Sequence, residues 1–202
     1  MSGSLFDQSG VRKYLVARER KAFVKTALRH DDAVASFCLT LAITGARISE
    51  VLALSAERVD LTNGAVIFET LKQRKRGVFR AVPVPHQLLQ HLTKHNRPPK
   101  QILWPWCRTT AWSVVKQMMR EANIAEGLCK PKALRHGFAI EAGQQGVPLN
   151  IVQRWMGHAR IETTAIYSGA LGDEERYLAS KVWKSLEIAD AKDRSSYSLS
   201  SK

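Results

Sequence analysis

The chain has 202 residues, 45% of them hydrophobic, so it is long enough for a folded domain with a buried core and is not a disordered polymer. Its 31 lysines and arginines outnumber its 18 aspartates and glutamates, and the net charge of +13 favours a polyanionic partner, with nucleic acid ahead of an anionic membrane or a role in solubility alone. Three widely spaced cysteines argue against a disulfide framework and a zinc finger, and no apolar run reaches the length of a membrane span. These properties favour a cytoplasmic protein.

Helical signals dominate the first part of the chain. Residues 1–10 look like a flexible leader, and a basic amphipathic helix is predicted over residues 14–30. Asp31 offers an N-cap for a second helix, whose apolar residues recur every three or four positions and bury one face. Gly45 ends this helix, and helical spacing restarts almost at once. Residues 44–47 therefore form a tight corner between two packed helices.

A short β region follows. The Asn63-Gly64 pair favours a tight turn between strands over residues 58–61 and 65–72, because both residue types readily adopt positive φ. A basic turn at residues 73–77 leads into a third strand over residues 78–82. The pattern predicts a small antiparallel sheet within a mainly helical, α+β domain.

The second half of the chain predicts further helices and no clear second domain. Pro85 suits the first position of one helix, and Thr109 or Thr110 caps the next. The remaining helices are predicted over residues 134–145, from Pro148 to Gly157, and over 173–186. The folded domain is expected to span residues 11–186, followed by a polar, disordered tail over 187–202.

Several residues fit the cleavage of a phosphodiester. That reaction needs a nucleophile, fixed cations at the non-bridging oxygens and an acid for the leaving oxygen. Arg47 and Arg135 each lie where a helix follows a loop, so that two planar guanidinium groups can clamp one phosphate. Tyr167 is the candidate nucleophile, His158 a candidate hydrogen-bond donor and Lys72 a candidate acid. Taken singly, each residue has a simpler interpretation as a surface, capping or packing residue.

The spacing of these residues resembles the signature boxes of the tyrosine recombinases, the phage integrase family. His158 and Tyr167 stand nine residues apart, as in that family, and the resemblance covers about residues 14 to 180. The motifs that carry it are Thr44-Gly-x-Arg47-Ile-Ser-Glu50-x-Leu52-x-Leu54, Lys132-x-Leu-Arg135-His136, Gly157-His158 and Thr163-Thr164-x-x-Tyr167.

The resemblance implies the catalytic-domain fold of the DNA breaking–rejoining enzymes and a site-specific recombinase of the integrase, resolvase or inversion type. Arg47 and Arg135 are then the phosphate clamp, supported by His158 and buttressed by Glu50. Tyr167 is the nucleophile that forms a 3′-phosphotyrosyl bond, with strand exchange through a Holliday junction. By analogy the reaction needs no metal, ATP or other cofactor.

The β-hairpin supplies the remaining functions that the resemblance implies. Lys72 matches the general acid, and Lys75 is its rival by register. The hairpin is also expected to contact DNA through its basic residues. These are Lys72, Arg74, Lys75, Arg76 and Arg80.

Two features depart from the family pattern. Lys132 stands where the family usually has histidine, although a lysine can still donate a hydrogen bond to the phosphate or to the tyrosine oxygen. The residues before Arg47 are too few for the separate helical core-binding domain of most integrases, and in this the chain is similar to the small fimbrial phase-switch recombinases. A truncated form and a clamp borrowed from a partner are the alternatives, and an accessory DNA-bending protein is a further candidate partner.

Other functions and assemblies stay open at this level. A type IB topoisomerase uses the same cleavage of DNA through a phosphotyrosine. A DNA-binding regulator on a recombinase scaffold is an alternative that needs no cleavage. The resemblance implies double-stranded DNA as partner, a homo-tetramer on paired sites and a nucleoid-associated, bacterial, phage or plasmid context. An apolar stripe on the last helix suits either docking onto a neighbouring subunit or packing on its own domain. Its residues are Leu178, Val182, Trp183 and Leu186.

Overall fold

The computed structural model describes residues 6–70, 77–157 and 173–186, with the backbone alone for Leu149 and residues 173–175. Within these ranges the chain forms eight α-helices and a three-stranded antiparallel sheet, the mainly helical class that the sequence predicts. The helices are α1 (Ala17–Ala27), α2 (Asp32–Thr44), α3 (Ile48–Leu52), α4 (His86–Thr93), α5 (Arg108–Glu121), α6 (Pro131–Gln144), α7 (Leu149–Met156) and α8 (Asp173–Lys184). The strands are β1 (Val59–Asp60), β2 (Ala65–Glu69) and β3 (Phe79–Pro83).

Helix α2 is the centre of the core. Its first turn is capped by Asp31, whose carboxylate accepts hydrogen bonds from the backbone N–H groups of Ala33 and Val34. The sequence predicts burial on one face, but every residue from Ala35 to Thr44 is buried, because α1, α3, α4 and α6 all pack against this helix. Its buried hydroxyls bond to carbonyls one turn earlier in the helix, as the Thr44 hydroxyl does to the Thr40 carbonyl at 2.6 Å.

The sheet has the order β1-β2-β3, with β2 antiparallel to both neighbours. Asn63 and Gly64 lie in the turn between β1 and β2, and Gly64 has a φ of 64°, as the Asn-Gly pair predicts. Opposite β2, Val82 pairs with Val66 and Arg80 pairs with Phe68. The segment 71–76, which joins β2 to β3, lies outside the described residues.

Several predicted helix starts differ from the structure by one to three residues: α1 begins at Ala17 and not at residue 14, and Pro85 is the N-cap of α4 and not its first residue. Helix α5 begins at Arg108 with Cys107 as its N-cap, where the sequence favours Thr109 or Thr110, because the Cys107 sulfur accepts the Thr110 N–H at 3.4 Å. Helix α6 begins at Pro131, three residues before the predicted start. A proline fits there because the first helical N–H groups have no partner within the helix.

Helix α8 packs on its own domain. Ala179, Val182, Trp183 and Leu186 are buried, and the helix contacts α6 and β3. Near its start, Arg176 donates a hydrogen bond to the Gly64 carbonyl at 3.0 Å. Of the two arrangements that the apolar stripe allows, this single chain therefore shows packing in cis.

None of the helices in the described ranges combines the length and apolar character that crossing a membrane requires.

We predict that Trp183→Ala will lower the free energy of unfolding by about 3–5 kcal/mol, because it empties a fully buried aromatic site. The measurement is urea unfolding of the purified protein. Tyr177→Ala, at a position 62% exposed on the same helix, is the matched control and should change stability by about 0.5 kcal/mol or less. Equal, small effects of both substitutions would show that α8 does not pack on its own domain in solution.

Candidate active site

The corner between α2 and α3 places Arg47. Gly45 ends α2 with a left-handed φ of 61°, and Arg47 is the N-cap of α3. A Cβ at position 45 would lie 2.3 Å from a ring carbon of Phe138, so the corner and α6 approach each other as closely as they do only because residue 45 is glycine. The corner therefore fixes the distance between Arg47 and helix α6.

Arg135 reaches from α6 to this corner. Its Nη1 donates to the Gly45 carbonyl at 2.6 Å, and its Nη2 donates to the Met156 carbonyl at 2.7 Å. The side chain is partly buried between the end of α2 and the end of α7. One guanidinium group thus joins α2, α6 and α7, where the motif that contains Arg47 and the motif that contains Arg135 come together.

The two candidate clamp arginines converge. Arg47 Nη1 lies 3.4 Å from the Gly157 carbonyl, and Arg135 Nη2 is bonded to the carbonyl of Met156, the preceding residue. Both guanidinium groups therefore meet the same bend of the backbone, where α7 ends and the chain leads into His158. Residues that are far apart in sequence are brought to one place, as the spacing of the motifs predicts.

Glu50 holds Arg47 in this position. Its carboxylate is buried and accepts the Arg47 backbone N–H at 2.9 Å and Arg47 Nη1 at 2.8 Å. It also accepts Arg80 Nη2 at 2.7 Å. The buttressing role that the resemblance implies for Glu50 stays a prediction, and the contact with Arg80 is not indicated by the sequence motifs.

Arg80, which is predicted to contact DNA, is buried and does not lie on the surface. Its side chain points inward from β3, and the residue as a whole is 7% exposed, while its neighbour Phe79 is 51% exposed. Besides Glu50, it contacts the Trp155 carbonyl through Nε at 2.7 Å and the Thr70 hydroxyl through Nη1 at 3.1 Å. The alternation of side chains along a strand could have predicted this inward direction, since Arg80 and the buried Val82 are two residues apart and lie on the same face.

The described part of the site carries more positive than negative charge. Burial and the charges of Arg47 and Arg80 lower the pKa of Arg135 to about 9, against an opposing effect of Glu50. Burial alone would raise the pKa of Glu50, but its bonds to Arg80 and Arg47 outweigh that effect and bring the pKa below its ordinary value. The cluster is therefore an ionised carboxylate among three guanidinium groups, an arrangement that favours an additional anion.

The other predicted residues divide into two groups. Lys132 lies exposed in the first turn of α6, and burial together with the charges of Lys132, Arg135 and Lys13 lowers the pKa of His136 nearby. The remaining candidates lie outside the described residues, so their roles stay predictions. They are Lys72, Arg74, Lys75, Arg76, His158 and Tyr167.

The sequence of the chain matches a known protein family. Residues 13–172 match the model of the phage integrase family. The chain belongs to the phage integrase family. Among curated members, it is 31% identical over 140 residues to tyrosine recombinase XerA of Pyrococcus furiosus and 32% identical over 144 residues to tyrosine recombinase XerD of Mycobacterium leprae. Both alignments cover 62% of this chain but only 46% and 44% of the relatives, so the chain spans less than half of their length.

Solved structures of integrases and recombinases share the fold. The integrase from mycobacterium phage Brujita superposes with a TM-score of 0.69 at 20% identity, covering 90% of this chain and 62% of the integrase. XerA recombinase gives a TM-score of 0.63 at 24% identity, covering 80% of this chain and 61% of XerA. XerH site-specific recombinase gives 0.62 at 19% identity, covering 88% and 59%. The fold is therefore the tyrosine recombinase catalytic domain that the sequence motifs imply.

We predict that Glu50→Gln will lower the free energy of unfolding near pH 7 by about 3–5 kcal/mol, because it leaves the buried Arg80 cation without its anion. The pKa of Glu50 is depressed in the folded state, so its stabilising contribution is present above the unfolded pKa of about 4.3 and is lost as the pH falls through the lower folded value. The gap between wild type and variant should therefore narrow below about pH 4.

Urea unfolding between about pH 3 and pH 7 measures this gap. The matched control is Glu57→Gln, which changes an exposed carboxylate and should stay within about 0.5 kcal/mol of wild type at every pH. A gap for Glu50→Gln that keeps its size across the whole range would contradict the assignment of a buried, ionised Glu50.

Proposed function

We propose that this protein is a site-specific DNA recombinase that cleaves and rejoins DNA through a 3′-phosphotyrosyl intermediate. The observation that carries the proposal is the convergence of Arg47 and Arg135 on the adjacent carbonyls of Gly157 and Met156. Two rigidly placed guanidinium groups at one bend suit the two non-bridging oxygens of a single phosphate. Family membership supports the same activity, since the relatives described above are tyrosine recombinases.

The proposed reaction is a transesterification without a metal step. The Tyr167 oxygen attacks the phosphorus, the bond from phosphorus to the 5′ oxygen breaks, and the phosphorus becomes bonded to the tyrosine oxygen. Lys72 gives its proton to the leaving 5′ oxygen, and the phenolic proton of Tyr167 passes to water. Arg47 and Arg135 hold the charge that develops on the phosphate, with His158 and Lys132 as hydrogen-bond donors. Attack by another 5′ hydroxyl on the phosphotyrosine reverses the step and joins the strands.

The electrostatics of the site fit this role. Arg135 keeps its proton at neutral pH even with a pKa of about 9, because the ambient pH lies well below that value. Its lowered pKa reflects the proximity of Arg47 and Arg80 and the cost of burial. A phosphate placed between Arg47 and Arg135 relieves the repulsion between them, so the site is prepared for an anion before DNA arrives.

Double-stranded DNA is the proposed substrate, and the net charge of +13 suits it. The similar structures include DNA complexes, among them XerH bound to its difH substrate and a lambda integrase dimer bound to a core site. We further propose that the protein acts as a homo-tetramer on paired sites. A partner protein that encloses the DNA, or a DNA-bending protein, would assist this tetramer. Exchange of α8 between subunits would first require Val182 and Trp183 to leave the core that they fill in this chain.

The nucleophile is tested by trapping the covalent intermediate. Nicked duplexes tiled across the DNA that flanks the native locus are incubated with the protein, and a denaturing gel detects the protein–DNA adduct. Wild type should form an adduct with at least one duplex. Tyr167→Phe should form none, while retaining DNA binding that weakens with salt. Continued cleavage by Tyr167→Phe would refute the assignment, and relaxation of supercoiled DNA without any site requirement would identify a topoisomerase instead.

The general acid is tested by changing the leaving group. Lys72→Ala should slow cleavage by about 100-fold or more, because the 5′ oxygen leaves poorly without a proton. A substrate with sulfur in place of that 5′ oxygen should restore the rate, since a thiolate leaves without protonation. Lys75→Ala is the matched control on the same hairpin. If sulfur rescues Lys75→Ala and not Lys72→Ala, the acid is Lys75.

A further inference from the structure

Arg80 connects the segments that carry the proposed clamp. Its three terminal nitrogens contact three separate elements: Glu50 in α3, the Trp155 carbonyl in α7 and the Thr70 hydroxyl after β2. Each of these segments leads to a candidate catalytic residue. Glu50 holds Arg47, Trp155 lies next to the Met156 carbonyl that binds Arg135, and Thr70 precedes Lys72 by two positions.

Gly157 shows how tightly this connection is packed. It has a left-handed φ of 63°, and a Cβ on it would lie 2.8 Å from Arg80 Nη1 and 2.9 Å from Arg80 Cζ. The guanidinium group therefore lies directly against the backbone of the bend that leads into His158. The carbonyl of the same residue is the one that Arg47 Nη1 approaches at 3.4 Å.

The location of Arg80 excludes direct contact with DNA in this arrangement. Its side chain is 5% exposed, and it lies over the ring of Phe68 with its Cζ 5.1 Å from the ring centroid. A phosphate at the surface cannot reach a group in this position without displacing the residues that cover it. Any effect of Arg80 on the reaction therefore passes through the residues that it holds or through its charge, which also acts on Arg135, and not through contact with the phosphate.

We propose that Arg80 is a positioning residue for DNA cleavage, which sets Arg47 through Glu50 and sets the Gly157 bend through its bond to Trp155. This inference rests on the proposed recombinase activity. A buried arginine can also serve stability alone. The two roles differ in what its removal changes, since a positioning role predicts a slower chemical step in protein that is still folded and still binds DNA.

The chain offers a matched control in Arg20. This second buried arginine is 0% exposed, donates to the Ala42 carbonyl at 2.9 Å and lies 3.9 Å from Glu141. Among the described residues it has no hydrogen bond to Glu50, Trp155 or Thr70. Arg20→Met therefore removes a buried guanidinium group of the same kind without cutting the connections that Arg80 makes.

The experiment compares Arg80→Met with Arg20→Met under conditions where urea titrations show both variants to be folded. Single-turnover cleavage is measured at saturating concentrations of the nicked duplex that gives an adduct with wild type. Arg80→Met should cleave about 100-fold more slowly with DNA affinity within about threefold of wild type, because misplacement of a clamp group affects the transition state. Arg20→Met should keep the wild-type cleavage rate. Equal cleavage rates for both variants would overturn the proposal.

A second measurement tests the order of the Arg47 guanidinium group and does not depend on DNA cleavage. In ¹⁵N-labelled protein, the Nη signals of Arg47 are assigned by their absence in Arg47→Lys. They should be resolved in wild type and in Arg20→Met and averaged in Arg80→Met, because the guanidinium group then rotates more freely. Unchanged Arg47 signals in Arg80→Met would refute the positioning role. Absence of cleavage by wild type itself would refute the recombinase activity, and the Arg47 signals would still decide whether Arg80 orders the cluster.

Should Arg80→Met fail to fold, Arg80→Lys carries the same test. Lysine keeps the charge beside Glu50, but its single ammonium group cannot reach the Trp155 carbonyl and the Thr70 hydroxyl at the same time. Slower cleavage with averaged Arg47 signals supports the proposal. A wild-type rate together with unchanged signals overturns it.

Discussion

The site depends on one buried carboxylate. Glu50 accepts hydrogen bonds from Arg47 on one side and Arg80 on the other, and an ion in the protein interior is stable only when its hydrogen-bonding capacity is met in this way. The carboxylate fixes the direction of one guanidinium group toward the proposed phosphate position and anchors another in the core. Loss of the carboxylate leaves both cations facing each other without an anion between them.

The core determines where these charges lie. Helix α2 is buried along nearly its whole length, and its end at Gly45 is in contact with Phe138 of α6. The helix that carries Arg135 and the corner that carries Arg47 are therefore set against each other by close packing, which resists small displacements. Apolar contacts therefore set the distance between α6 and the corner, and hydrogen bonds set the direction of each guanidinium group.

Much of the fold follows from local sequence signals. Asp31 as N-cap, Gly45 and Gly157 as helix ends and the Asn63-Gly64 turn lie where the sequence places them, because each depends on the chemistry of one or two residues. The family, the fold and the meeting of Arg47 with Arg135 were also predicted, from motif spacing.

Other features depended on tertiary contacts that the sequence pattern does not show. The burial of α2 on all sides depends on helices that are distant in sequence. Arg80 was misplaced because it follows a run of basic residues, and its inward direction depends on strand register and on a partner, Glu50, thirty positions earlier. The roles of Lys72, His158 and Tyr167 continue to rest on spacing, since these residues lie outside the described ranges.

The acceptors that orient the arginines have an evolutionary consequence. Four of the contacts end on main-chain oxygens, those of Gly45, Trp155, Met156 and Gly157. No amino-acid substitution removes a carbonyl oxygen, so a change of side chain at Trp155 or Met156 leaves the acceptor in place, whereas positions 45 and 157 need glycine because a Cβ there would clash. A cationic cluster built in this way depends on the path of the main chain more than on the identity of the side chains that surround it.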